Sequence, residues 1–111
     1  MNTASIDQAT FNELQEAAGA EFVAELVDTF LQEAPEMLAE LRRAHAGLQA
    51  DVFRRAAHSL KSNSMTFGAT RLGAMARTLE LGGMPPDATA LDALDAEYTL
   101  VAVALKELCH G

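Results

Sequence analysis

The chain has one cysteine, Cys109, and therefore no internal disulfide. A lone thiol fits a reducing compartment. Tryptophan is absent and aromatic residues make up only 5% of the chain. Alternating β-branched runs are also missing, so nothing supports strands. Bases are scarce: eight Lys and Arg stand against 16 Asp and Glu, a net charge of −8. Phosphate neutralisation needs clustered cations, so a chain this acidic is a poor general binder of DNA or RNA. No stretch approaches the roughly 20 apolar residues of a membrane span. The opening MNTASIDQATF lacks the basic region and the apolar run of a secretory signal. These absences imply a cytoplasmic location. The initiating Met1 and the compact length favour a free protein over one domain of a larger chain.

What is present is helix-forming. Half of the 111 residues are apolar and 22% are charged, which suits one soluble domain over residues 1–111 with a single core. Ala, Leu and Glu dominate, and five helices can be drawn. The first runs from about Ser5 to Ala17, capped by Ser5 or Asp7 and ended by Gly19. The second runs from about Ala20 to Ala46 and closes at Gly47. Its seam is Val23, Leu26, Phe30, Ala34, Met37, Leu41 and Ala44, and the pattern continues in phase past Pro35, which predicts a kink and not a break. The third runs from about Ala50 to Thr66, with Asp51 in its first turn and Gly68 as its stop. The fourth runs from about Thr70 to Leu81, carrying Leu72, Met75 and Leu79. Gly82-Gly83-Met84-Pro85-Pro86 is the strongest break. The fifth runs from about Asp87 to Leu108 with Leu91, Leu94, Tyr98, Val101, Leu105 and Leu108 on one face. Short connections make successive long helices antiparallel. The expected fold is all-α: an up-and-down four-helix bundle with an additional short N-terminal helix over one end.

Function is signalled by the third helix. At about 100° per residue, Phe53, Ala56, Ala57, Leu60, Ser64 and Phe67 cluster within about 100° of arc. His58 falls roughly 150° from the centre of that stripe and should face water or a partner. Arg54 lies one turn before it, Lys61 and Ser62 one turn after it, and Met65 a further turn along. The site is an imidazole with two cations and a hydroxyl within reach. A neutral imidazole is a nucleophile near neutral pH, and neighbouring cations would stabilise a phosphoramidate dianion on it. A small residue at position 62 leaves room for a bulky partner. His58 has no acid three or four residues away on either side, so the group that orients its other nitrogen is left open.

The run His58-Ser59-Leu60-Lys61-Ser62-Asn63-Ser64 followed by Gly68-Ala69 resembles the signature of histidine-containing phosphotransfer (HPt) domains: His-x-Leu-Lys-Gly, small residues, then Gly-Ala about ten residues after the histidine. Phe30 through Leu38, proline included, resembles the family's second-helix segment, and Leu72 through Glu80 its fourth. Ser62 departs from the pattern, standing where many members have glycine. The resemblance implies a phosphorelay intermediate in which His58 carries the phosphoryl group and Lys61 steadies it. It implies receiver domains and a sensor or hybrid histidine kinase as partners, no autonomous catalysis, no cofactor of the chain's own, Mg²⁺ on the receiver, and a monomer.

Docking would use apolar residues near His58. Met65 is one candidate. Val27, Leu31 and Leu38 lie off the main seam of the second helix and form a second stripe, which either docks a partner or packs under the first helix against Ile6, Phe11 and Leu14. The three histidines show no metal-ligand spacing, His45 suits the end of its helix, His110 lies near the C-terminus, and nothing marks Cys109 as reactive. Two other readings are open: a helical module that docks a signalling partner without phosphorylation, and an enzyme using His58 as general base.

Overall fold

The computed structural model describes residues 5–110, with His110 described in its backbone alone; Met1 and the His110 side chain lie outside the described residues. Five helices follow one another: α1 (Gln8–Ala18), α2 (Ala20–Ala46), α3 (Ala50–Thr66), α4 (Thr70–Gly82) and α5 (Thr89–His110). Among the described residues there is no strand. Helix α2 has 27 residues, about 40 Å at 1.5 Å per residue, and so spans the 41 Å long axis of the molecule. Helices α2, α3, α4 and α5 close a ring, each touching the next and α5 returning to α2, while α1 packs on α2. The architecture is the all-helical bundle read from the sequence.

The register can be read from pairs across the ring. Phe30 meets Phe67 at 5.3 Å between ring centres, and His45 meets Phe53 at 6.2 Å. Helices α2 and α3 are therefore antiparallel, with Ala39 and Glu40 level with His58 and Ser59. Helix α2 passes through Pro35 without a break. Proline has no N–H to give the Leu31 carbonyl, and that carbonyl accepts from the Tyr98 hydroxyl at 3.4 Å instead. The core runs the length of the ring through Val23, Phe30, Ala34 and Leu41 of α2, Phe53, Ala57 and Leu60 of α3, Leu72 and Ala76 of α4, and Leu91, Leu94, Val101 and Leu105 of α5.

The second stripe of α2 belongs to that core. Val27 is wholly buried and Leu38 is 9% exposed. Of the two roles open to this stripe, packing holds for Val27 and Leu38, and the expectation that Val27 docks a partner is corrected. A strict alternation of threes and fours describes a helix with one neighbour; α2 packs against α1, α3 and α5 and buries a broader arc. Leu31 is half-buried against the core, and its carbonyl accepts from the Tyr98 hydroxyl at 3.4 Å.

Two turns shape the ends. Asp7, not Ser5, caps α1, its carboxylate accepting from the Thr10 backbone N–H. Ser5 is buried instead. Gly68 ends α3 at φ +82, and its carbonyl accepts the Asp7 N–H at 2.7 Å. A Cβ on Gly68 would lie 2.8 Å from the Asp7 carbonyl oxygen. The glycine of the Gly68-Ala69 pair is needed for backbone reasons, and Ala69 beside it is fully buried.

Candidate functional site

His58 sits near the middle of α3 on the face turned from the core, with its side chain 55% exposed. Helix α4 runs antiparallel beside it. The small residues Ala57, Gly73 and Ala76 are buried between or beside these two helices and let them approach closely. Gly73 lies so near α3 that a Cβ on it would come within 2.6 Å of the Met65 sulfur. With Met65 level with Gly73, the antiparallel register sets His58 level with Glu80.

Glu80 is the group that the sequence left unnamed. Its Oε2 lies 2.7 Å from His58 Nδ1, and its Oε1 lies 3.1 Å from Lys61 Nζ. The carboxylate is only 12% exposed. The His58 ring first, and the Lys61 ammonium with it, hold the Glu80 carboxyl below the usual carboxylate range, against an opposing push from partial burial. An ionised carboxylate only accepts, so Nδ1 carries the proton and donates. In the neutral ring the lone pair is then on Nε2, at the far edge of an imidazole that is more than half exposed. Helical spacing relates His58 only to residues of α3, whereas Glu80 belongs to α4, 22 positions away. Its signal is positional: it follows Leu79 in α4 and stands one turn beyond Ala76, on the side of α4 that meets α3.

The other predicted residues divide clearly. Lys61 shares the His58 face and is partly buried, but its ammonium pairs with Glu80. Arg54 is exposed one turn before His58 and makes no ion pair among the described residues. Ser62 is exposed, and its carbonyl accepts the Thr66 hydroxyl at 3.0 Å. Met65 is 48% exposed and walls a groove of about 340 Å³ between α3 and α4. Leu31 is not level with His58: it lies toward the Phe30–Phe67 end and faces α5 through Tyr98. The structure therefore brings together His58, Lys61 and Glu80, flanks them with Arg54, Ser62 and Met65, and leaves Val27 and Leu31 elsewhere.

The remaining candidates are structural. His45 Nε2 lies 2.9 Å from the Pro85 carbonyl and pins the α4–α5 connection to the end of α2. Burial, with Asp28 nearby, pushes the Cys109 thiol up from its ordinary range. Among the described residues no three His, Cys, Asp or Glu side chains are grouped to hold a metal ion, and no helix is long and apolar enough to cross a membrane.

An exposed imidazole on a helical bundle, with one nitrogen bound to a carboxylate and the other available, has the geometry of a nucleophile that a partner can reach. The family model of the Hpt domain matches residues 25–104, and the chain belongs to that family. Its role is accordingly phosphotransfer in two-component signalling, and members of this family are phosphoryl carriers. The chain is similar to histidine-containing phosphotransfer protein B (HptB) from Pseudomonas aeruginosa PAO1, whose crystal structure it matches with a TM-score of 0.86 and 25% sequence identity, over 97% of this chain and 96% of that one. No curated protein sequence matches it.

Proposed function

We propose that this chain is a relay intermediate that accepts a phosphoryl group on Nε2 of His58 from a receiver-domain aspartyl phosphate, or from a sensor or hybrid kinase, and passes it to another receiver aspartate. The observation that carries this reading is the 2.7 Å contact from Glu80 to Nδ1 of a half-exposed ring. It holds the proton on one nitrogen and frees the other.

The steps balance. The Nε2 lone pair attacks phosphorus, the P–N bond forms, the acyl P–O bond breaks, and the donor carboxylate leaves with the electron pair. The proton on Nδ1 stays against Glu80, which compensates the positive charge that the ring gains. For onward transfer an acceptor carboxylate attacks phosphorus, the P–N bond breaks and its electron pair returns to Nε2. The receiver's Mg²⁺ belongs to the partner and neutralises phosphoryl charge there. Arg54, which makes no ion pair among the described residues, supplies a cation one turn away, and Ser62 a hydroxyl beside the incoming group. Lys61 serves by way of Glu80 at rest and turns to the phosphoryl group when it arrives.

The test is incubation with a phosphorylated receiver domain. The account expects acid-labile, alkali-stable label on the wild-type protein and none on His58→Gln. Label surviving in that variant would show that another residue is the carrier.

A further inference from the structure

Glu80 fixes more than the tautomer of His58; it fixes the direction in which the reacting nitrogen points. Nδ1 lies against the Glu80 carboxylate of α4 at 2.7 Å. The two nitrogens sit on opposite flanks of the ring, with Nε2 farther from the backbone, so Nε2 points outward and away from α4. Helix α3 has α4 on one side and α2 on the other. A phosphoryl group on Nε2 therefore leans toward the α2 side.

The cations near His58 divide by side. At about 100° per residue, Arg54 and Lys61 fall about 40° and about 60° to one side of His58, and Ser62 and Arg55 fall about 40° and about 60° to the other. The first side is that of α4, since Lys61 pairs with Glu80 and Met65 crowds Gly73. The second is that of α2, since Arg55 and Ser59 line a cavity of about 230 Å³ together with Glu40 of α2. Arg55 is exposed, one turn before His58. Among the described residues it makes no ion pair, with Glu40 or with Asp51. Its Nε donates to the Asp51 carbonyl at a long 3.4 Å. The guanidinium is held loosely, on the side to which Nε2 leans, with both Nη groups left over.

We propose that Arg55 grips the phosphoryl group on Nε2 of His58, in a seat on the α2 side of α3 that it shares with the Ser62 hydroxyl. The proposal rests on the relay reading of His58 and adds a phosphoryl-binding residue that lies outside the His58–Ser64 motif. A guanidinium offers two parallel N–H donors to two phosphoryl oxygens, a match that an ammonium lacks. Leaving the Asp51 carbonyl costs little, because that contact is long and exposed. The forked end then swings toward the ring, and its charge offsets the phosphoryl charge both during transfer and in the phosphorylated protein.

Phosphoramidate, a small donor, tests the seat without a partner protein. The Nε2–P bond forms, the donor's own P–N bond breaks, and ammonia leaves. Arg55→Gln should label about tenfold more slowly than the wild type, and Arg55→Lys should recover part of the loss. Lys106→Gln, the same loss of charge at an exposed position on α5, should stay within about twofold. Arg55→Gln should lose more than Arg54→Gln, whose arginine stands on the α4 side. The pH titration of the ³¹P signal reads the contact itself, which a merely structural role would leave unmoved. A cation favours the dianion, so the wild-type phosphoryl group should lose its last proton about half a pH unit or more below that of Arg55→Gln. Equal titrations, or a larger rate loss in Arg54→Gln than in Arg55→Gln, would overturn the proposal while leaving the relay intact. Absence of label on wild-type His58, from phosphoramidate and from phosphorylated receivers alike, would overturn the relay reading beneath it.

Discussion

Replacing Gly68 by alanine tests whether the turn after α3 serves chemistry or architecture. Gly68 stands at φ +82, where an L side chain costs about 1–2 kcal/mol. The added methyl would also lie 2.8 Å from the Asp7 carbonyl oxygen and 3.1 Å from Thr10 Cβ. Asp7 cannot simply retreat, because its N–H is bound to the Gly68 carbonyl at 2.7 Å and its carboxylate caps α1. Moving it weakens a cap of about 1 kcal/mol. Stiffening of the unfolded chain returns up to about 1 kcal/mol. The net loss is about 2 kcal/mol, or about 10 °C in Tm for a domain of this size. Thermal unfolding followed by circular dichroism reads it. Below the transition, phosphoramidate should still label His58 at close to the wild-type rate, because the residue lies about ten positions away along the chain and contributes no group to the site. An unchanged Tm would refute the backbone argument; a labelling rate that collapsed in a folded protein would refute the division between turn and site.

Further outcomes are expected. Glu80→Ala removes the acceptor for Nδ1–H, so ¹⁵N NMR of the neutral His58 ring should show the proton on Nδ1 in the wild type and a mixture of tautomers in the variant; identical spectra would dissociate Glu80 from the ring. Glu80 is held below its ordinary pKa, so its contribution to stability is present above the ordinary carboxylate range and is lost as pH falls through the lowered value. Denaturant titrations should therefore show wild-type stability falling more steeply than that of Glu80→Gln below about pH 4.5. Leu48 holds φ +56 in the turn after α2 while 81% exposed. Leu48→Asn should relieve about 1 kcal/mol and raise Tm by about 4–8 °C, and a lower Tm would show that the exposed leucine makes a contact that matters. Cys109, its thiol raised by burial, should react with a disulfide reagent far more slowly at pH 8 than it does after denaturation.

The helices were legible because their punctuation is strong. Gly19, Gly47 and Gly68 mark ends that the structure keeps, and α2 and α3 begin and stop where the seam and the glycines place them. Exposure of His58 followed from the arc of Phe53, Ala57 and Leu60, all buried. Periodicity describes a helix in isolation, so it left the Val27–Leu38 stripe between docking and packing, a choice settled by α2 having three neighbours, and it gave no sign of Glu80, which reaches His58 across a helix interface 22 positions away. The same limit hid Glu97, which lies between Leu94 and Val101 on the buried side of α5, 5% exposed, with Arg71 across from it. A heptad pattern allows position 97 or 98 into the seam. Tyr98 was the natural choice, and the structure admits both, the acid more deeply.

Which nitrogen of His58 takes the phosphoryl group decides whether Glu80 orients the ring for transfer. The decisive measurement is ¹H–¹⁵N NMR of the phosphorylated protein labelled at histidine, read for coupling to ³¹P. Phosphorus bonded to Nε2 of His58, with Nδ1 still protonated, is the predicted result. Phosphorus on Nδ1, or on any residue other than His58, would contradict it.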